Sequence, residues 1–438
     1  MTLRQYKLKC QVCNTEFDDD GFMLECRAEH EPAFLVTEYS HKQFECNQHA
    51  EGIYRYQNWL PILRTLPGAS GTITYQSKRL SRIIGLPHLW IAYNGYWPEK
   101  GVAFGTTTFK ELEAYTVLSR IPEKQDSVLV VASAGNTAAA FAHICSQSKF
   151  PCLIIVPANG LQRMQFREPL DPCVKIVSLS GFVDYYDAIT LANHIAKRDG
   201  FFPEGGAKNV ARRDGLGTAL LNAVETIGQL PDYYFQAIGS GAGGIAVHEA
   251  AKRLVNDGRF GQKCPRLMLS QNLPFAPIYF SWKAKQRGLI HFNRDEGKKQ
   301  IQQIAAHVLS NQQPPYSIRG GVFDVLSESQ GDMLVADNLE ALNAARLFRE
   351  CEGIDIDPAA GVALATLIKA VTSGQIDSNA LVLLNITGGG WDRHRRDNGL
   401  ISARPALQID MHEIATEKVI GLFREPLDKK SFSVYNSY

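Results

Sequence analysis

Lys110 lies in the run Phe104-Gly105-Thr106-Thr107-Thr108-Phe109-Lys110-Glu111-Leu112-Glu113-Ala114. An isolated lysine is ordinarily a solvated surface charge. This one follows a Gly-Thr-Thr-Thr turn and opens a helical pattern. A lysine desolvated beside cationic ends has a depressed pKa, and its neutral amine can form a Schiff base. Two further motifs supply a setting for that chemistry. The first is Ser133-Ala134-Gly135-Asn136-Thr137, ahead of the small-residue run Ala138-Ala139-Ala140. A polar turn at a helix N-terminus offers N–H groups and hydroxyls to a carboxylate. Ordinary N-capping by Ser133 or Thr137 is the plainer reading, and it explains Asn136 less well. The second is Gly239-Ser240-Gly241-Ala242-Gly243-Gly244, running out of an apolar segment into a helical one. Glycines bring backbone N–H groups close to an anion, and the helix adds its positive dipole end, so a phosphate is the natural occupant. The following strand ends Leu269-Ser270-Gln271-Asn272 with no carboxylate for a ribose, which disfavours a dinucleotide. No Gly-Lys-Ser/Thr accompanies the loop, so it is not an ATP P-loop. A small phosphorylated cofactor fits better.

These motifs need elements to hold them. Short apolar runs at 127–132, 152–156, 175–178, 234–238, 267–270 and 381–386 are apolar on both faces, as strands of a covered parallel sheet are. Helical patterns fall between them at 137–148, 183–197, 217–228, 245–256 and 359–372. The alternation predicts an α/β fold with open parallel sheets, whose ligands collect at the C-terminal ends of the strands. With 438 residues, two subdomains are expected.

The order lysine, Ser-x-Gly-Asn-Thr, glycine loop resembles the fold-type II pyridoxal-phosphate (PLP) enzymes, the family of tryptophan synthase β and threonine synthase. Asn385-Ile386-Thr387-Gly388-Gly389-Gly390 agrees with it, since the family sets a Ser or Thr there against the pyridine nitrogen. Glu352-Gly353-Ile354-Asp355-Ile356-Asp357-Pro358-Ala359-Ala360 is similar to the family's turn before a C-terminal helix. Threonine synthases typically read Ser-Phe-Lys-Asp-Arg around the lysine, whereas this chain reads Thr108-Phe109-Lys110-Glu111-Leu112-Glu113. The nearer resemblance is to the cysteate synthases of coenzyme M biosynthesis. It is carried by Gly95-Tyr96-Trp97-Pro98-Glu99-Lys100-Gly101, Phe109 to Ala114, Pro203-Glu204-Gly205-Gly206-Ala207, Asn209-Val210-Ala211-Arg212-Arg213, Gln271-Asn272-Leu273-Pro274-Phe275 and Pro314-Pro315-Tyr316-Ser317.

The resemblance implies two subdomains, each an open twisted, mainly parallel sheet flanked by helices, with a short Cys-containing N-terminal arm. Expected boundaries are 1–55 for the arm, 56–115 with 205–425 for a large PLP-binding domain, and 116–204 for a small one. It implies replacement of the phosphate of O-phosphoserine by sulfite, through an aminoacrylate intermediate, to give cysteate. Lys110 would hold PLP and carry protons as the general base. Gly239, Ser240, Gly241, Ala242, Gly243 and Gly244 would anchor its phosphate, Asn136 would meet O3′, and Thr387 the ring nitrogen. Ser133, Ala134, Gly135 and Thr137 would bind the substrate carboxylate. Thr106, Thr107, Thr108, Lys208, Arg212 and Arg213 are candidates for the incoming dianions, since arginine forks match phosphate oxygens. For the arginines a solvated helix face is the competing reading. Threonine synthesis, another acceptor such as sulfide, and a non-catalytic PLP-binding protein are the alternatives.

Cys10-x-x-Cys13 with Cys26 and His30 could hold a tetrahedral zinc. The second pair does not repeat Cys-x-x-Cys, and Cys46 or His49 competes, so a metal-free arm is the expectation. Nine cysteines, mostly alone in apolar segments, suit reduced thiols and a cytoplasmic protein. A formal net charge of +1 gives no reason to expect nucleic acid or an anionic membrane as partner. No apolar run approaches the roughly 20 residues of a membrane span. By analogy of fold, a homo-oligomer is expected.

Overall fold

Aliphatic runs too short for helices assemble into two sheets in the computed structural model, which describes residues 4–290, 293–410 and 416–423. The expected arm and large domain include residues 1–3, 291–292, 411–415 and 424–425, which lie outside the described residues. The larger sheet has six strands in the order Asp332–Ala336, Arg266–Asn272, Tyr233–Ala237, Val382–Ile386, Leu89–Tyr93 and Ile73–Gln76. All its pairings are parallel except the last, between 73–76 and 89–93. The smaller sheet is parallel throughout, in the order Phe201–Pro203, Val128–Ala132, Cys152–Pro157, Val174–Ser180 and Leu407–Asp410.

Central strands are buried on both faces, as Cys152–Pro157 and Val382–Ile386 are along their whole length. Each aliphatic side chain removed from water there stabilises the fold by about 1.5–3 kcal/mol. One apolar cluster runs from the large sheet through Leu112, Val117 and Leu118 to Phe141, Ile154 and Val156, and the helix Lys110–Arg120 packs against the helices Val210–Ile227 and Asn136–Ser148.

Sequence patterning located every inner strand of the two sheets except Leu89–Tyr93, and none of the edge strands. Strands at 73–76, 89–93, 201–203, 332–336 and 407–410 are additions. The last returns the chain to the smaller sheet, in register with Val177–Ser180. The helix read at 217–228 begins at Val210, because Asn209 caps it by accepting from the Ala211 N–H. The N-terminal arm is itself a three-stranded antiparallel sheet, Glu16–Phe17, Tyr6–Cys10 and Leu35–Tyr39. Its Tyr6, Leu8, Phe34 and Tyr39 share a core with Leu220, Val224, Ile245 and Leu254 of the helices Val210–Ile227 and Ala242–Asp257. Among the described residues no helix is long and apolar enough to cross a membrane.

Candidate active site

Lys110 is the first residue of its helix, and the turn before it is fixed by the loop after the strand Val382–Ile386. Phe109 N–H donates to the Thr387 carbonyl at 3.0 Å, and Gly389 N–H donates to the Thr107 carbonyl at 3.1 Å. Thr107 takes a φ of 59°, an uncommon left-handed conformation for a β-branched residue. This pairing brings Lys110 and Thr387, distant in sequence, to the wall of one cavity.

That cavity, of about 90 Å³, is lined by Phe109, Lys110, the turn 133–137, the loop 239–243 and Thr387. It joins an outer cavity of about 630 Å³ through shared residues Tyr185, Arg212, Ser240 and Asn311. The three sequence motifs therefore converge at the C-terminal ends of strands from both sheets. Burial pulls the Lys110 amine below the usual lysine pKa, with Glu113 opposing and Arg212 reinforcing the shift. Its side chain remains 19 % exposed, and its Nζ donates to Glu113 Oε2 at 3.1 Å.

Glu113, fully buried, is a junction that the motifs did not reveal. Its Oε1 accepts from the Thr137 hydroxyl at 2.9 Å and lies 3.2 Å from an Arg212 nitrogen. Arg212 also binds Glu204 through Nε at 2.8 Å and through a second nitrogen. Two cations, Lys110 and Arg212, thus face two carboxylates, Glu113 and Glu204. Tyr185, also unforeseen, lines both cavities; burial raises its phenol pKa to about 12. Apart from the three-residue spacing of Lys110 and Glu113, no local pattern signals either group, since their other neighbours come from distant segments.

The glycine loop leaves the strand Tyr233–Ala237 and enters the helix Ala242–Asp257. Gly241 has a φ of +87°, and a Cβ there would meet Val322 Cγ2 at 2.2 Å. A Cβ on Gly243 would meet Gln236 Nε2 at 2.3 Å. The backs of these glycines are filled, which leaves main-chain N–H groups as the surface offered to the cavity. In the turn 133–137, Gly135 N–H donates to the Ser133 hydroxyl at 3.0 Å and Asn136 begins the helix Asn136–Ser148. These groups fit PLP: a desolvated amine, a glycine-rich helix N-terminus for the phosphate, and polar groups around the space between.

Other expected residues are placed elsewhere. Lys208 reaches the outer cavity only, where it pairs with Glu25. Arg213 is a correction. Its guanidinium is buried against Glu249, Nε lying 3.0 Å from the carboxylate, and donates to the Ala207 and Leu35 carbonyls beneath the N-terminal sheet. It follows Arg212 by one residue, so helical geometry points it about 100° away. Thr106 is also committed: its N–H and hydroxyl both donate to Glu111 Oε1. The Thr107 and Thr108 hydroxyls are buried without a partner. Gly244 lies behind the loop, against Leu269.

A sequence profile of the family described as "Pyridoxal-phosphate dependent enzyme" matches residues 66–388. The cysteate synthase of Methanosarcina barkeri is 43% identical over 415 residues, covering 94% of this chain and 99% of the relative. That of Methanocorpusculum labreanum is 45% identical over 394 residues, covering 90% and 94%. Among solved structures, diaminopropionate ammonia lyase from Escherichia coli, in complex with an aminoacrylate-PLP azomethine reaction intermediate, superposes with a TM-score of 0.58. It is 16% identical, and the match covers 76% of this chain and 88% of that one. Maize serine racemase gives a TM-score of 0.56 at 16% identity, covering 74% and 92%. At such identities these two structures speak for the fold alone, that of the fold-type II enzymes.

Proposed function

This chain belongs to the cysteate synthase family of PLP-dependent enzymes, and we propose that it converts O-phospho-L-serine and sulfite to L-cysteate and phosphate. The observation that carries the chemistry is the convergence of Lys110, the turn 133–137, the glycine loop and Thr387 on one cavity. The name of the relatives supports the product. Bound here, PLP supplies the electron sink that allows an amino-acid substrate to lose its α-proton and its β-substituent.

The chain's own groups do the rest. Amides of the loop 239–243, at a helix N-terminus, would hold the cofactor phosphate. The Lys110 amine, its pKa lowered by burial, would link the cofactor, then take the proton from Cα and return it. The turn 133–137 would bind the substrate carboxylate, and Asn136 would donate to O3′. The Thr387 hydroxyl would meet the ring nitrogen; being neutral, it does not hold that nitrogen protonated, which suits elimination and replacement over transamination. The outer cavity, with Arg212 and Lys208 in its wall, is the route for phosphate out and sulfite in. Both cations are paired with carboxylates, so an entering dianion must compete with Glu204, Glu113 or Glu25. With nine thiols free of disulfides, the chain suits a reducing cytoplasm.

The test is a nucleophile screen. PLP-loaded protein given O-phosphoserine and sulfite should release cysteate and phosphate in equal amounts. Faster formation of cysteine from sulfide, or of threonine from O-phosphohomoserine, overturns the assignment. Lys110→Ala should lose the covalent cofactor link, read by mass spectrometry after borohydride reduction.

A further inference from the structure

The N-terminal arm carries a second cluster of reactive side chains, none of which lines the cofactor cavity. Cys10, Cys13, Cys26 and His30 each contribute one ligand atom, and these atoms all lie within 4.8 Å of one another. Spacing alone favoured a metal-free arm; folding closes the distances. Cys13 Sγ and Cys26 Sγ are 3.6 Å apart, and Cys10 Sγ is 3.3 Å from His30 Nε2. A tetrahedral ion with Zn–S bonds of about 2.3 Å sets its sulfurs about 3.8 Å apart. The two short separations lie close to that figure, and the widest in the set stays within 4.8 Å.

Independent features orient these atoms. Asn14, directly after Cys13, takes a left-handed φ of 58°, and its N–H closes onto the Cys10 carbonyl at 3.1 Å. The resulting knuckle turns both thiols to one side. Val12 N–H donates to Cys10 Sγ and Ala28 N–H to Cys26 Sγ, each at 3.4 Å. Such donors stabilise thiolates, the form that binds a metal. His30 Nδ1 lies 2.6 Å from the Glu31 carbonyl, which fixes the proton on Nδ1 and leaves Nε2 as the free lone pair.

We propose that these four residues bind one zinc ion in a closed Cys₃His site. Three soft thiolates and an imidazole favour zinc over magnesium, calcium or manganese. With four protein ligands there is no open position for water, so the ion is structural. Its task follows from what it ties. The chain between Cys13 and Cys26 carries Phe22 and Leu24 into the wall of the outer cavity, together with Glu25 just before the third ligand. Leu24 presses on Gly205, where a Cβ would come within 2.4 Å of it. That segment has no regular structure beyond the short strand Glu16–Phe17. Zinc binding supplies the folding energy that it does not find in a core of its own.

The experiment is elemental analysis of the full-length, PLP-loaded protein, purified under reducing conditions with zinc in the medium and dialysed against a weak chelator. Close to one zinc per chain is expected. Less than a tenth of that, iron in its place, or a Cys13–Cys26 disulfide overturns the site. Cys13 is exposed and Cys26 half-buried, so the paired variant Cys13→Ser/Cys26→Ser is the least disruptive. It should lose the metal while retaining PLP absorbance; an unchanged zinc content refutes the ligand set. Should that variant fail to fold, cobalt exchanged into the wild-type protein decides. Intense visible bands with thiolate charge transfer are expected, and the weak spectrum of an octahedral ion counts against the proposal.

Discussion

The group with most leverage on Lys110 is Glu113, three residues along the same helix and fully buried beside it. Its charge opposes the effect of burial on the lysine amine, while Arg212 acts with burial. Glu113→Gln keeps the shape and removes the charge. The Lys110 pKa should then fall further, and the limb of the kcat–pH profile governed by that amine should move to lower pH. Turnover at the optimum should drop about tenfold or more, as the positioning of a general base is lost. A purely structural role for Glu113 would lower the melting temperature and leave the limb in place. The turn 133–137 and the glycine loop were legible in the sequence because each is contiguous and uses residue types with few other reasons to cluster; Lys110 gained meaning only beside them, and Thr387 only through the family resemblance. Glu113, Glu204 and Tyr185 were not legible. Their roles arise from contacts between segments that only folding brings together, and a glutamate inside a helix is ordinarily a surface residue. Arg212 and Arg213 could not be told apart for the same reason: one lines the cavity and the other anchors the N-terminal sheet.

At the scale of elements, the phosphate loop depends on backbone that other residues cannot adopt. Gly241→Ala must place a Cβ at a φ of +87° and 2.2 Å from Val322 Cγ2. The combined strain and overpacking should cost about 2–4 kcal/mol. A lower melting temperature and weaker retention of PLP on dilution are the expected readouts. Adding Val322→Ala should recover the packing part and not the conformational part, so the double variant lies between the two. The central strands were readable as uninterrupted aliphatic runs. The helix Val210–Ile227, read as 217–228, was read short at its start, and it carries Gly215 and Gly217, residues that do not favour a helix interior. They are contact points: a Cβ on Gly215 would sit 2.4 Å from the Leu112 carbonyl of the helix that carries Lys110. Glycine there lets two helices approach closely, a requirement that sequence periodicity does not display.

For the molecule as a whole, the N-terminal arm is built in rather than appended. Arg120, at the end of the Lys110 helix, forms a two-pronged bond to Asp19 at 2.7 and 2.9 Å, both side chains almost wholly buried. Asp19→Ala strands that guanidinium in the interior, and breaking such a pair costs about 3–5 kcal/mol. A marked fall in melting temperature is expected, with proteolytic opening between Cys13 and Cys26. The neighbouring Asp18→Ala removes only an exposed pair with Lys7 and should change little. If both substitutions prove equally mild, the arm does not bear on the fold in this way. Composition marked the arm as different from the rest; its docking rests on side chains facing helices far along the chain, which no local pattern encodes.

The strand Leu407–Asp410 has one more consequence. It is the outermost member of the smaller sheet, laid along Val174–Ser180 after the chain has finished the larger one. Until the chain has been made as far as residue 410, the N–H and C=O groups on that side of Val174–Ser180 have no partner, and the strand presents an open border ready to pair with another chain. The closing strand is thus a seal against self-association. A protein cut short ahead of it would keep every residue of the cofactor cavity and still be prone to aggregate.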